Sequence, residues 1–256
     1  MKKMIMIMNV LFFVYGLQTG YAHPQMKTAE NLIQKIQFSS PYIKELDSNN
    51  DHVGLHNAEL WAPDTKFSQD LMLKIDGKIV LRGIYWNSRI MVGDVDDAHL
   101  PEVFLYEYSV GSSGAMRLSV FSMIENQWTR IFGDPETFTN EVQRFSSKFL
   151  GKNQIGFFDN ATRLSGKLDM SNSHFTQEQL KSMVFQTDPI SEYIVHYENI
   201  GCQIDTVSWV FAFSHPNAVF TVHDFYRFDF QKKVFKLYET KIQNKDVTLA
   251  KMSFDE

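Results

Sequence analysis

Between Gly93 and Tyr108 the chain reads GDVDDAHLPEVFLYEY, and its oxygen-bearing residues fall at spacings that suit a hard cation. Calcium takes roughly six to eight oxygens at about 2.4 Å, so a DxDxDGxxE loop offers side-chain oxygens at its odd positions and one backbone carbonyl. Laid on this chain, Asp94, Asp96, the Leu100 carbonyl and Glu102 are the candidate calcium ligands. Ala98 brings no oxygen, and His99 stands where glycine usually makes the sharp turn, so a solvated acidic turn is the competing reading. Two segments echo the spacing without completing it: Asp47, Asn49 and Asp51 with Leu55 at the last position, and Asp169, Ser171 and Ser173 with Gln177 there.

The run Pro101-Glu102-Val103, entering an alternating strand, resembles the DGxPEI segment of FG-GAP and VCBS-type repeats. That resemblance covers the loop and the start of the following strand, and it implies a β-propeller blade or an isolated β-hairpin built on a calcium loop. In general character the chain is also similar to calcium-loop periplasmic inhibitor (immunity) proteins. This second likeness implies a scaffold that works by binding.

Other constellations compete less well. His52 and His56 are four apart, a spacing that lets two imidazoles share zinc on a helix, but Gly54 and the preceding DSNND argue for a loop. His23 would be the first residue after signal cleavage. A terminal amine with its own imidazole chelates copper, as in copper-dependent polysaccharide oxygenases, although Pro24 follows it. No GxSxG is present, so any hydrolase would be one of unrecognised type. Phe104, Tyr106 and Tyr108 alternate onto one strand face and form a candidate carbohydrate-binding strip, with a core face as the alternative. On a later strand His223, Phe225, Arg227 and Asp229 share a face that reads as wet, and these are the candidate binding residues.

Composition bounds these readings. Lys2 and Lys3, the apolar run Met4 to Leu17 and the Gly20-Tyr21-Ala22 end have the three parts of a secretory signal peptide over residues 1–22. Cleavage after Ala22 leaves no membrane anchor and takes the formal charge from -5 to -7, which argues against nucleic acid as a partner. Cys202 is the single cysteine, so no intramolecular disulfide can form, and the 22 Phe, 10 Tyr and 4 Trp must build the core unaided. Asn160-Ala161-Thr162 is a glycosylation acceptor in a eukaryote, but the MKK start and lack of disulfides read as bacterial.

The elements that position these residues read as one α+β domain over 23–256, mainly antiparallel β. Two β meanders, at 60–133 and 200–243, flank a helical segment at 134–190. A short amphipathic helix is expected within Met26 to Leu46, carrying Leu32, Ile33 and Ile36 on one face. Asp76-Gly77 predicts a tight hairpin. Asp134, Pro135, Phe138, Val142, Phe145, Phe149 and Gly151 read as a capped helix. Thr176 to Val184 reads as another, with Leu180, Met183 and Val184 inward, and Ser191 to Gly201 is ambiguous. Three strands follow, ending near Ile242. The expectation is an exported periplasmic or secreted binding protein, an inhibitor or immunity factor whose partner is a protein such as a basic cell-wall hydrolase.

Overall fold

A computed structural model describes residues 31–39, 55–62, 71–84, 87–95, 100–109, 114–133, 143–197, 201–213 and 217–254. The expected signal segment, His23, Asp47 to His52, Asp96, Ala98, His99 and Asp134 to Val142 lie outside the described residues.

Of the described residues 72% are in strands and 3% in helix, so the fold is mainly β and the α+β expectation overstated the helices. The first antiparallel sheet runs in chain order through β1 (Asn31–Ser39), β2 (Leu55–Ala62), β3 (Leu71–Ile75) and β4 (Lys78–Ile84). The second does the same with β5 (Asn87–Gly93), β6 (Glu102–Tyr108), β7 (Met116–Ile124) and β8 (Gln127–Phe132). The third holds β9 (Phe145–Gly151), β10 (Gln154–Asp159) and β11 (Ser165–Asp169). A short helix α1 (Gln177–Lys181) precedes a six-stranded sheet: β12 (Phe185–Thr187), β13 (Glu192–Tyr197), β14 (Cys202–Ala212), β15 (Ala218–Asp229), β16 (Val234–Asn244) and β17 (Val247–Ser253). Within it β12 and β13 both pair with β14.

Tight turns join many of these strands. Asp76 and Gly77 have φ of 50° and 74°, the paired positive values of the hairpin turn whose twist matches that of its strands. Glu125-Asn126 and Lys152-Asn153 do the same without glycine, at 49° and 62° and at 47° and 62°. Asparagine tolerates the left-handed region because its short amide bonds locally.

Two of the three expected helices are corrected. The helix within 26–46 is β1 where it is described, and Leu32 and Ile33 are 46% and 49% exposed instead of forming a buried stripe. Pairing with β2 from Asn31 to Ser39 supplies backbone bonds to an otherwise weakly amphipathic segment. The described end of the expected 134–151 helix is also a strand. Phe145 and Phe149, four apart, share a face in a strand as well as in a helix, and β9 pairs with β10 through the Lys152-Asn153 turn. The described part of the segment at 134–190 therefore holds four strands, β9 to β12, beside the short helix α1. Among the described residues only α1 is helix, held by a capping box in which Thr176 Oγ1 accepts from the Gln179 N–H and Gln179 Oε1 from the Thr176 N–H. Leu180 and Met183 are buried as expected, whereas Val184 is 47% exposed.

The sheets stack around three clusters. The first and second sheets enclose Leu60, Leu73, Ile75, Ile90, Leu105 and Phe121. The other face of the second sheet meets one end of the six-stranded sheet through Phe104, Leu118, Val120, Ile204 and Phe228. The opposite end of that same sheet packs on the third sheet and α1 through Phe145, Phe157, Leu180, Phe220 and Ile242. Gln34, beside the β1 bulge, places its carboxamide on the β5 edge: Nε2 donates to the Ile90 carbonyl at 2.9 Å and Oε1 accepts from the Ile90 N–H at 2.8 Å. A side chain thus satisfies backbone groups that an open edge would leave bare.

Candidate functional site

The calcium-like loop leaves β5 at Gly93, where an added Cβ would run into the Tyr197 hydroxyl. Asp94 is exposed, Val95 is buried, and Leu100 packs against the first core. Glu102 opens β6 opposite Gly93 and is only 2% exposed. Its Oε2 accepts from the Val95 N–H at 2.8 Å and its Oε1 from the Ser122 hydroxyl at 3.0 Å. The carboxylate therefore already ties the loop to β7. Asp94 and Glu102 are brought to the same loop. Among the described residues no group of three or more His, Cys, Asp and Glu is placed to hold a metal.

His56 lies on a strand, so the helical zinc geometry does not arise. Its Nδ1 is 2.8 Å from Asp76 Oδ2, which also accepts from Trp128 Nε1 at 2.8 Å, while Asp76 Oδ1 accepts from the Asn57 N–H at 2.9 Å. Burial pushes the Asp76 carboxyl up, but the bonds from Trp128, Asn57 and His56 outweigh that and hold it below its ordinary value. The Asp76 turn is thereby pinned to β2 and β8.

The aromatic strip on β6 is core. Phe104 is 1% and Tyr106 8% exposed, and both pack toward the six-stranded sheet with Tyr108 partly buried beside them. A sugar platform there is overturned by the second sheet being covered on both faces.

The face of β15 that carries His223, Phe225 and Arg227 is the outer face of the six-stranded sheet, opposite the cores. Neighbouring strands add Gln203, Asp205 and Trp209 from β14 and Tyr238 from β16. His223 and Phe225 stack with centroids 6.1 Å apart and planes at 19°, and Tyr238 lies 6.3 Å from Phe225. Arg227 sits 4.1 Å above the Tyr238 ring, whose hydroxyl donates to Gln203 Oε1 at 2.5 Å. His223 Nδ1 is 3.2 Å from Asp205 Oδ2 and Nε2 is 3.3 Å from Thr221 Oγ1. Trp209 is 43% exposed. Asp229 ends β15 and caps the turn that follows: it accepts from the N–H groups of Gln231 at 2.9 Å and Lys232 at 3.0 Å and from Lys236 Nζ at 2.6 Å. The Lys236 bond and those two N–H groups hold its carboxyl well down, at about 2. Of the four residues expected on this face, His223, Phe225 and Arg227 come together, and Asp229 shapes the hairpin beside them.

One polar cluster escaped the sequence reading. Alternation along β15 puts Asp224 on the inner face between Val222 and Tyr226, which was the available signal. There Arg144 donates to Asp224 through Nη1 at 2.6 Å and Nη2 at 3.0 Å, and to Asp159 through Nε at 3.2 Å and Nη2 at 3.0 Å. Thr240 Oγ1 donates to Asp224 at 2.6 Å and Thr162 Oγ1 to Asp159 at 2.7 Å. Each carboxylate is fully engaged, so the cluster acts as a structural clasp. Cys202 is 3% exposed, in the core between the second and the six-stranded sheets.

No family model matches this chain, and searches of curated proteins and of solved structures find no similar one.

Proposed function

We propose that this chain is an exported binding protein that engages another protein through the outer face of the six-stranded sheet, as an inhibitor or immunity factor against a basic cell-wall hydrolase or secreted toxin. The observation that carries the reading is the ordered set on that face. Trp209 is exposed, Arg227 is laid on Tyr238, Tyr238 is tied to Gln203, and His223 is stacked on Phe225. Trp, Tyr and Arg dominate the binding energy of protein interfaces, and side chains ordered before contact lose less entropy on binding. Once the signal segment is removed, the formal charge of -7 speeds encounter with a basic partner. Calcium at Asp94, Asp96, Leu100 and Glu102 would brace the loop beside β6 and takes no part in recognition.

The experiment is direct binding of mature protein, beginning at His23, to a basic lysozyme-type hydrolase, with inhibition measured in parallel. Wild type should bind in a salt-sensitive manner and inhibit near stoichiometry. Trp209→Ala and Arg227→Ala should each weaken binding about 30-fold or more. Binding of soluble glycan fragments in place of the enzyme would overturn the partner class. Turnover of glycan by the protein alone would overturn the binding reading itself.

A further inference from the structure

His223, at the centre of the proposed recognition face, is held at both ring nitrogens. Nδ1 faces Asp205 Oδ2 at 3.2 Å, and Nε2 faces Thr221 Oγ1 at 3.3 Å, which in turn lies 3.4 Å from the Gln243 carbonyl. The Asp205 side chain is 8% exposed, and its Oδ1 is buried with no hydrogen-bond partner among the described residues.

An ionised carboxylate only accepts, so Asp205 Oδ2 facing Nδ1 favours the arrangement of the ring that carries its proton there. In the neutral ring Nε2 accepts from the Thr221 hydroxyl. In the imidazolium Nε2 donates to Thr221 Oγ1, and the hydroxyl proton turns to the Gln243 carbonyl. One hydroxyl rotation serves both charge states, and no backbone has to move. A buried carboxylate with one oxygen unsatisfied is costly, and a full charge on His223 offsets part of that cost.

We infer that Asp205, His223 and Thr221 form a proton-sensing relay that sets the charge of this face and makes partner binding depend on pH. The inference rests on reading this face as the binding surface for a basic protein. The charged groups around the ring settle the sign. On β14 Asp205 touches it, with Val207 directly across from it. On β16 Lys241 is directly across and Glu239 is across from Phe225. On β17 Lys251 is across from Lys241 and is paired with Glu239 at 2.8 Å. On β13 Glu192 is across from Val207, and along β15 Arg227 lies beyond Phe225. Protonation therefore adds a positive charge beside Lys241 and Arg227, and a basic partner is repelled as pH falls.

Two measurements test this. Calorimetric binding of the full mature chain to the basic hydrolase should weaken about five-fold from about pH 8 to about pH 5.5. In His223→Gln and Asp205→Asn the ratio between the two pH values should shrink to less than about two-fold, whatever their absolute affinity. A ratio unchanged in His223→Gln overturns the relay. The second measurement needs no partner: nitrogen-15 NMR of the neutral ring should show the proton on Nδ1 in wild type and its transfer toward Nε2 in Asp205→Asn. A wild-type neutral ring protonated at Nε2 overturns the relay. Absence of a complex at every pH, with the Nδ1 proton observed, overturns the binding reading and leaves the relay standing.

Discussion

Arg144 Nη1 lies 2.6 Å from Asp224 Oδ2, at the place on the inner face of β15 where two hydrophobic cores meet. Val222 on one side belongs to the core shared with the third sheet, and Tyr226 on the other packs against the core shared with the second. The same guanidinium grips Asp159 at the end of β10, so one side chain ties the third sheet to the six-stranded sheet. Burial disfavours the charge on Arg144, but its bonds to Asp224 and Asp159 more than offset this and hold it protonated.

Arg144→Met should therefore destabilise the protein by about 3 to 5 kcal/mol, because it leaves two engaged carboxylates without their counter-ion. Arg144→Lys should fall between, keeping the charge and losing the two-pronged geometry. Urea unfolding followed by circular dichroism checks both. A methionine variant as stable as wild type would show that the clasp contributes nothing.

Asp76→Asn keeps a residue that tolerates the φ of 50° at the turn but gives up the carboxylate that faces His56 and accepts from Trp128. A loss of about 1 kcal/mol is expected at neutral pH. The folded Asp76 titrates below its ordinary 3.8, so its stabilisation is complete above that value and disappears as pH falls through the lower folded value. Wild type and variant should converge in denaturation curves taken from about pH 5 downward. Trp128, bonded to Asp76, supplies a fluorescence signal for the same transition.

Calcium, if held by Asp94, Asp96, the Leu100 carbonyl and Glu102, should raise the melting temperature by mass action, and Asp94→Ala should remove that gain. Glu102→Gln should destabilise the chain even without calcium, by about 1 to 3 kcal/mol, since its carboxylate is buried and holds Val95 and Ser122. Thermal melts with calcium and with chelator separate the two effects. An identical melt in both conditions leaves the acidic turn.

Gly133→Ala should be among the most damaging single-methyl additions. Gly133 has φ of +84°, and a Cβ there would strike the backbone carbonyl of Leu118. The left-handed strain and the backbone collision together should cost roughly 2 kcal/mol or more. Gly77→Ala, where nothing lies near the Cβ, carries the strain alone and should cost less. Paired denaturation curves test the order.

The β-meanders were readable where turn chemistry and alternation agreed. Asp76-Gly77 named its hairpin, and the meander expected at 60–133 is carried by the strands β3 to β8. Phe145 and Phe149 misled because a spacing of four fits a strand and a helix alike, and Gly151, with φ of 89° at the entry to the Lys152-Asn153 turn, read as the end of a helix. Glu102 was legible as a carboxylate entering a strand. That it points inward to cap Val95 depends on Ser122, twenty positions away on β7.

From local sequence alone come the antiparallel strands, the capped turn of α1 and the shared face of His223, Phe225 and Arg227, because each depends on neighbours a few residues apart. Only the tertiary structure decided which faces meet. β6 alternates like a half-wet strand yet is covered on both sides, and Asp224 interrupts an apolar row to receive Arg144 from eighty positions away. Those outcomes depend on sheet stacking and on pairing a buried charge over long sequence separation, and neither leaves a period in the chain.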